Sequence, residues 1–156
     1  MSLTLPADRL QAIHAHAERT YPEECCGLLL GTIAADKRVV HDVYEVLNAW
    51  DTDAAHQLND NAAFTKTRRY WIAPEDMLAG MREARRRNLE IIGIYHSHPD
   101  YPAVPSECDR AIAWSQYSYL IVSVEQGIAK DVRSWTLNEQ HLFESEAIQI
   151  AETARM

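Results

Sequence analysis

A short apolar segment that ends in His96-Ser97-His98-Pro99 constrains the fold of this chain more than any other feature. Residues 90–95 form an apolar run of strand length between an Arg-rich helical segment and a group of prolines. Such a run is typical of a buried β-strand. If the strand continues through His98, the two histidines are two positions apart, so both imidazoles leave the same face. Pro99 cannot donate a ladder hydrogen bond, and we therefore expect the histidine pair at the carboxyl end of the strand.

The next segment brings a third potential metal ligand toward the histidines. Three prolines between positions 99 and 105 stiffen a turn, and the following residues, 106–114, are predicted to form a helix. Because Ser106 and Asp109 are three positions apart, they lie on one side of its first turn. Asp109 could then complete a two-histidine, one-carboxylate set, which is the kind that a catalytic zinc site uses. Ser-x-x-Asp is also close to a capping box, in which Ser106 simply begins the helix, and the two roles could coexist.

An acidic pair far upstream offers the general base that such a site needs. Glu23 and Glu24 lie directly before Cys25-Cys26-Gly27, where residues 25–30 are predicted to form a strand. If the strand extends back to the glutamates, the two point to opposite faces; otherwise Glu23 lies in the loop before it. The ligand set and the acidic pair together predict a metal-dependent hydrolase.

These residues resemble the signature of the JAMM (MPN+) metallopeptidase family. The signature has the form His96-x-His98, ten intervening residues and then Asp109, with Ser106 three positions before the aspartate. The segment that begins at Glu24 is similar to the family's first strand, whose catalytic glutamate stands three positions before a glycine. The resemblance therefore selects Glu24 from the acidic pair.

The resemblance implies a role for each of these residues. One zinc ion per chain would be held by His96, His98 and Asp109, with a water as the fourth ligand. Glu24 would act as general base, and Ser106 would donate a hydrogen bond to the developing oxyanion. A two-histidine, one-carboxylate set also suits iron(II), and only the resemblance and Glu24 favour zinc.

The resemblance also implies a substrate class. The family cleaves amide or isopeptide bonds after the flexible tail of ubiquitin-like proteins, and a standalone prokaryotic member of this size is similar to enzymes that act on small β-grasp sulfur-carrier proteins. We therefore expect hydrolysis after a carboxyl-terminal Gly-Gly tail, with Tyr101, between the ligands, contacting residues beside the scissile bond. The alternatives are a cell-wall or phage-tail-type peptidase and a non-catalytic MPN interaction scaffold. A zinc deaminase is disfavoured because the chain lacks a Pro-Cys-x-x-Cys motif.

Composition narrows the remaining classes. The chain has 156 residues, enough for one domain, and a net charge of −8, which argues against a nucleic-acid partner. No apolar run approaches the ~20 residues of a membrane span, so no membrane partner is expected. The amino terminus lacks a signal-peptide pattern, and the three cysteines fit a reducing compartment, so we expect a cytoplasmic protein. The sequence makes no prediction of the oligomeric state.

The order of predicted elements indicates an α/β fold. The elements predict a mixed, largely antiparallel sheet flanked by helices. The resemblance implies that this is a single MPN/JAMM domain over residues 1–156, with a cytidine-deaminase-like outline. Residues 48–67 show no sustained period and are predicted to be a flexible insertion, either a flap over the substrate or a segment with no specific role. Residues from 142 onward are predicted to form a short strand or helix, with a frayed tail after 145. The other predicted helices span 6–20 and 74–88, and the other predicted strands span 39–47, 118–124 and 130–137.

Overall fold

The computed structural model describes residues 2–51 and 65–152, and these form seven strands and three helices. The strands are β1 Ser2–Pro6, β2 Cys26–Ala34, β3 Lys37–Val46, β4 Glu90–Pro99, β5 Ser118–Glu125, β6 Ile128–Leu137 and β7 Phe143–Ala151. The helices are α1 Ala7–Thr20, α2 Pro74–Arg86 and α3 Glu107–Ala111. None of these helices is long and apolar enough to cross a membrane.

The strands form one closed barrel in the order β1-β3-β2-β4-β5-β6-β7. The pairs β1–β3, β1–β7 and β4–β5 are parallel, and the other four pairs are antiparallel. The predicted α/β content and mixed sheet are therefore confirmed. The prediction of a sheet flanked by helices did not include its closure: β1 pairs with β3 on one side and with β7 on the other, and so closes the sheet on itself.

The two ends of the described chain differ from the prediction. Residues 2–6 form a strand where none was expected. The prediction of a frayed tail after 145 is wrong for residues 146–151, which belong to β7. Their pairing runs from Ser2 opposite Ala147 to Pro6 opposite Ala151. A five-residue strand with a partner at the far end of the sequence leaves no local periodic signal, so only tertiary pairing reveals it. Residues 153–156 lie outside the described residues.

The central strands are buried on both faces. Leu29, Ile92 and Leu120 belong to a core cluster that also holds Ile13 and Ala17 of α1. Other residues of the same strands, Leu28, Leu30, Ile94 and Tyr119, belong to a second cluster, which also holds Ala84 of α2. A strand covered on both faces has no polar face, which explains why its sequence is a continuous apolar run instead of an alternating one.

The predicted insertion at 48–67 falls partly outside the described residues, which omit 52–64. Its described ends pack beside β2. Trp50 is buried, and the Asn48 side-chain amide donates to the carbonyls of Glu24 and Arg69 at 3.0 and 2.9 Å. These residues are thus part of the folded core around the site.

The closure of the barrel by β1 predicts a stability difference between two residues that face each other in the β1–β7 pairing. Leu5 is fully buried and lies opposite Ile150, which is 52% exposed. We expect Leu5→Ala to lower the free energy of unfolding by about 2–5 kcal/mol, because it leaves a cavity in the core. Ile150→Ala, the matched control, should change it by less than about 0.5 kcal/mol. Urea denaturation followed by circular dichroism measures both, and equal losses would contradict the closed barrel.

Candidate metal centre

Three buried side chains converge at the carboxyl end of β4. His96 and His98 come from the strand and Asp109 from α3, and their donor atoms lie close enough together to hold a metal ion. The two Nε2 atoms are 3.1 Å apart, and Asp109 Oδ2 lies 3.2 Å from Nε2 of His96 and 3.1 Å from Nε2 of His98. Ligands around a tetrahedral zinc with bonds of about 2.0–2.2 Å are roughly 3.3–3.6 Å apart. The near-equilateral triangle therefore fits a single small divalent ion.

The hydrogen bonding of His98 supports the same conclusion. Its Nδ1 lies 2.6 Å from the carbonyl oxygen of Pro102, and we infer from this contact that Nδ1 carries the proton. In a neutral imidazole the other nitrogen then has only a lone pair. The Nε2 lone pair of His98 and the carboxylate oxygen of Asp109 thus face each other as two acceptors, an arrangement that a shared cation stabilises. A backbone carbonyl that fixes the tautomer is a typical partner of a metal-ligating histidine.

The strand and two tyrosine rings hold the imidazoles in place. β4 pairs with β2 on one side and with β5 on the other, so His96 lies between Cys26 and Ile121, and His98 lies opposite Ser123 of β5. The His96 ring stacks on Tyr70, with centroids 4.3 Å apart, and the His98 ring stacks on Tyr101, with centroids 4.0 Å apart. Both imidazoles are fully buried. The predicted strand and its same-face histidines are therefore found as expected from the period of two.

The helix cap orients the carboxylate ligand. The Asp109 amide donates to Ser106 Oγ at 3.0 Å, and the Ser106 amide donates to Asp109 Oδ2 at 2.8 Å, which together make a capping box. The capping alternative for Ser106 is therefore confirmed. Oδ2 is also the oxygen that faces both imidazoles, so the cap aims the ligand. The helix is shorter than predicted, since α3 ends at Ala111 and not at 114.

The structure places Glu24, and not Glu23, against the site. Glu24 is buried while Glu23 is exposed. Its amide donates to the carbonyl of Lys66 at 2.7 Å, and the next residue is tied to β4, because the amides of Cys25 and Ser97 donate to Ser97 Oγ and to the Cys25 carbonyl at 2.8 and 3.2 Å. Glu24 therefore enters the site along the β2–β4 register instead of from a mobile loop.

Among the described residues, one oxygen of the Glu24 carboxylate has a hydrogen-bond partner and the other has none. Oε2 accepts a hydrogen bond from the Tyr101 hydroxyl. Oε1 is buried and has no hydrogen-bond partner among the described residues. Tyr101, predicted to contact substrate, thus touches both Glu24 and His98. Its loop is held by a 2.7 Å hydrogen bond from Ser123 Oγ to the Tyr101 carbonyl.

The pKa values of the two carboxylates of the site are shifted in opposite directions. Burial raises the pKa of Glu24 to about 8, although the charge of His96 and the hydrogen bond from Tyr101 oppose that shift. Burial also acts on Asp109, but the two imidazoles outweigh it and hold the pKa of Asp109 well below its ordinary value. The lowered pKa favours the ionised carboxylate of Asp109, which is the form that binds a metal ion. Glu24 is suited to exchanging a proton near neutral pH.

The imidazoles respond to the same carboxylate in different ways. Burial would lower the pKa of His96, but the charge and hydrogen bond of Asp109 outweigh it and raise the pKa. For His98 burial prevails, and the pKa is lowered in spite of Asp109. A lowered pKa keeps the His98 ring neutral at pH 7, which is the form that binds metal.

Several residues at the site were missed by the sequence analysis. Tyr70, Arg68 and Asn48 lie in or beside the segment without periodicity, and no role was predicted for Ser97. Tyr70 reaches His96 across 26 positions of sequence, so no local pattern could link the two. A pair of arginines followed by a pair of aromatic residues, positions 68–71, was the only signal, and it is not specific.

Comparison with known proteins gives a consistent result over most of the chain. Residues 6–138 match the family model described as prokaryotic homologs of the JAB domain. A desampylase from Haloferax volcanii is 32% identical over 142 residues, which cover 88% of this chain and 90% of the relative. A CysO-cysteine peptidase from Mycobacterium tuberculosis is 28% identical over 136 residues, which cover 86% and 82% of the two chains. The solution structure of a protein from Desulfitobacterium hafniense, 27% identical, has a TM-score of 0.78 and covers 97% of this chain and 94% of that one.

The converging ligands predict stoichiometric metal binding that depends on His98. After zinc reconstitution and dialysis, we expect about one zinc per wild-type chain and a loss of most of it in His98→Ala, because a three-ligand site that loses one ligand binds weakly. His41→Ala, which removes an exposed histidine from β3, is the matched control and should keep its zinc. Elemental analysis measures the content. A wild-type protein that retains no metal, or a His98→Ala variant that retains it fully, would contradict the site.

Proposed function

The chain belongs to the family of prokaryotic homologs of the JAB domain, and we propose that it is a zinc-dependent peptidase or isopeptidase. The amide bond that it hydrolyses follows the carboxyl-terminal Gly-Gly tail of a small ubiquitin-like sulfur-carrier protein. The observation that carries the proposal is the buried His96, His98 and Asp109 triangle with the buried Glu24 carboxylate beside it. Two relatives named as a desampylase and as a CysO-cysteine peptidase support hydrolysis of peptide or isopeptide bonds.

In this proposal each residue of the site has one task. His96, His98 and Asp109 hold the zinc, which supplies the Lewis acidity that makes water a nucleophile near neutral pH. Glu24 accepts a proton from the attacking water at Oε1, the oxygen without a partner among the described residues, and delivers it to the leaving amine. A nearby dication favours the charged carboxylate, so the pKa of Glu24 falls from about 8 when the ion is bound.

Ser106 has the free proton that an oxyanion donor requires. Its Oγ accepts the hydrogen bond from the Asp109 amide, and within the described residues its own hydroxyl proton has no acceptor. A hydroxyl can donate and accept at once, so the cap leaves the donor available. The developing oxyanion is the acceptor that we assign to it.

The two alternative functions, a scaffold and a cell-wall or phage-tail-type peptidase, differ from the proposal in different ways. A non-catalytic scaffold has no use for a buried unpartnered carboxylate oxygen beside three converged ligands, since burial of such an oxygen costs free energy. A cell-wall or phage-tail-type peptidase would share the site and differ only in substrate, so it must be separated by the assay below.

Glu24→Gln tests the assignment of the general base. With the zinc-loaded enzyme we expect cleavage of carrier proteins extended after Gly-Gly, and the variant should be at least about a hundredfold slower, because the amide cannot take up the proton. Its zinc content should equal that of the wild type, which separates a base from a ligand. Absence of cleavage of any carrier extension by the zinc-loaded wild type would refute the carrier substrate, and cleavage of muropeptides instead would favour the cell-wall alternative.

Ser106→Gly separates the catalytic role of Ser106 from its capping role. Glycine is an acceptable N-cap residue, costing only a few tenths of a kcal/mol, but it has no hydroxyl. We expect kcat to fall on the order of a hundredfold while zinc content and the thermal midpoint stay close to those of the wild type. Ser106→Thr, which keeps both the cap and the hydroxyl, is the control and should retain most of the activity. Equal rates for the glycine and threonine variants would show that Ser106 acts only as the helix cap.

A further inference from the structure

A guanidinium with no acidic partner among the described residues lies beside Tyr101 at the site. Arg68 is exposed, and its Cζ is 4.6 Å from the centroid of the Tyr101 ring. Within residues 2–51 and 65–152 it makes no ion pair, whereas several other exposed arginines do, including Arg19, Arg86 and Arg133. In a chain with a net charge of −8, a cation that pairs with no carboxylate among the described residues and stacks on a tyrosine of the site is a candidate for binding an anionic substrate group.

Arg68 is connected to the reacting groups through a stack of flat side chains. Its guanidinium lies over Tyr101, and the Tyr101 ring lies on the His98 ring at 4.0 Å and 12°. The hydroxyl of the same tyrosine contacts Glu24. The exposed guanidinium is therefore held over a ring that stacks on one candidate metal ligand and whose hydroxyl contacts the proposed base.

A guanidinium in this position suits a carboxylate close to the scissile bond. Its planar fork pairs with a carboxylate through two parallel hydrogen bonds. In an adduct between a carrier tail and a single amino acid, the α-carboxylate carbon lies roughly 2.5 Å from the scissile nitrogen. In a longer peptide that carboxylate has become an amide. In an isopeptide, the scissile nitrogen belongs to a lysine side chain and has no carboxylate near it.

We propose that Arg68 binds the α-carboxylate of a single amino acid attached to the carrier tail, and so makes the enzyme selective for such adducts. The inference rests on the proposed function and names its substrate class. Hydrolysis adds one water across the amide: the tail regains its glycine carboxylate and the amino acid leaves with its amine, with no other reactant required. Arg68 acts in recognition of the leaving group and takes no part in proton transfer.

The test compares two peptides that differ only at the terminal group. A peptide ending in Gly-Gly-Ala is prepared as the free acid and as the carboxamide, and kcat/KM is measured for each with zinc-loaded full-length protein. We expect the wild type to prefer the acid at least tenfold. Arg68→Gln should lose that preference by cleaving the acid more slowly, mainly through KM, while its rate on the amide stays within twofold of the wild type. Arg82→Gln, at an exposed arginine of α2, is the matched control and should behave as the wild type.

A binding measurement and a third peptide complete the test of Arg68. In the Glu24→Gln background, the free acid should bind more tightly than the amide, and Arg68→Gln should remove the difference. A Gly-Gly-Asp carboxamide carries its carboxylate on the side chain, and cleavage of it as fast as the Gly-Gly-Ala acid would overturn α-carboxylate recognition. Equal cleavage of the acid and the amide by the wild type would also overturn α-carboxylate recognition, while the proposed function would stand. Cleavage of none of the peptides or carrier extensions refutes the proposed function, and the inference with it.

Discussion

The arrangement of the site depends on a reciprocal pair of hydrogen bonds between Cys25 and Ser97. The Ser97 amide donates to the Cys25 carbonyl, and the Ser97 hydroxyl accepts from the Cys25 amide. Each residue has a functional neighbour, Glu24 on one chain segment and the two histidines on the other. The pair therefore fixes the distance between the proposed base and the ligands through backbone geometry, which a single side-chain contact could not do.

The protonation states of the buried groups at the site depend on one another. Burial of a carboxylate without a partner costs free energy. Two buried imidazoles do not by themselves account for a carboxylate oxygen, which is a third acceptor, placed beside them. Asp109 is kept ionised by His96 and His98, and its charge raises the pKa of Glu24 in turn. Removal of any one of these groups changes the protonation of the others, so the effects of substitutions at this site are not additive.

The sequence predicted the parts of the site that follow from local rules. The strand through His98, the common face of the histidines and the Ser106 cap all depend on a period of two or on a four-residue motif, and all are present. The contacts of Tyr70 and Arg68, the pairing of β1 with β7 and the closure of the barrel depend on residues far apart in sequence, and they were not predicted. The single-domain extent over residues 1–156 and the cytoplasmic location remain predictions.

The short length of α3 has a thermodynamic consequence. Two ligands stand on a strand that is anchored on both sides, whereas the third stands on a helix of five residues. A helix of that length has no stability of its own in water, since nucleation costs more than one turn of hydrogen bonds returns. Were an ion to bind these three side chains, its binding and the ordering of this turn would be linked equilibria, and the metal affinity would include the free energy of forming the helix. That affinity would then depend in part on helix propensity, which surface residues of α3 can change without contacting the ion.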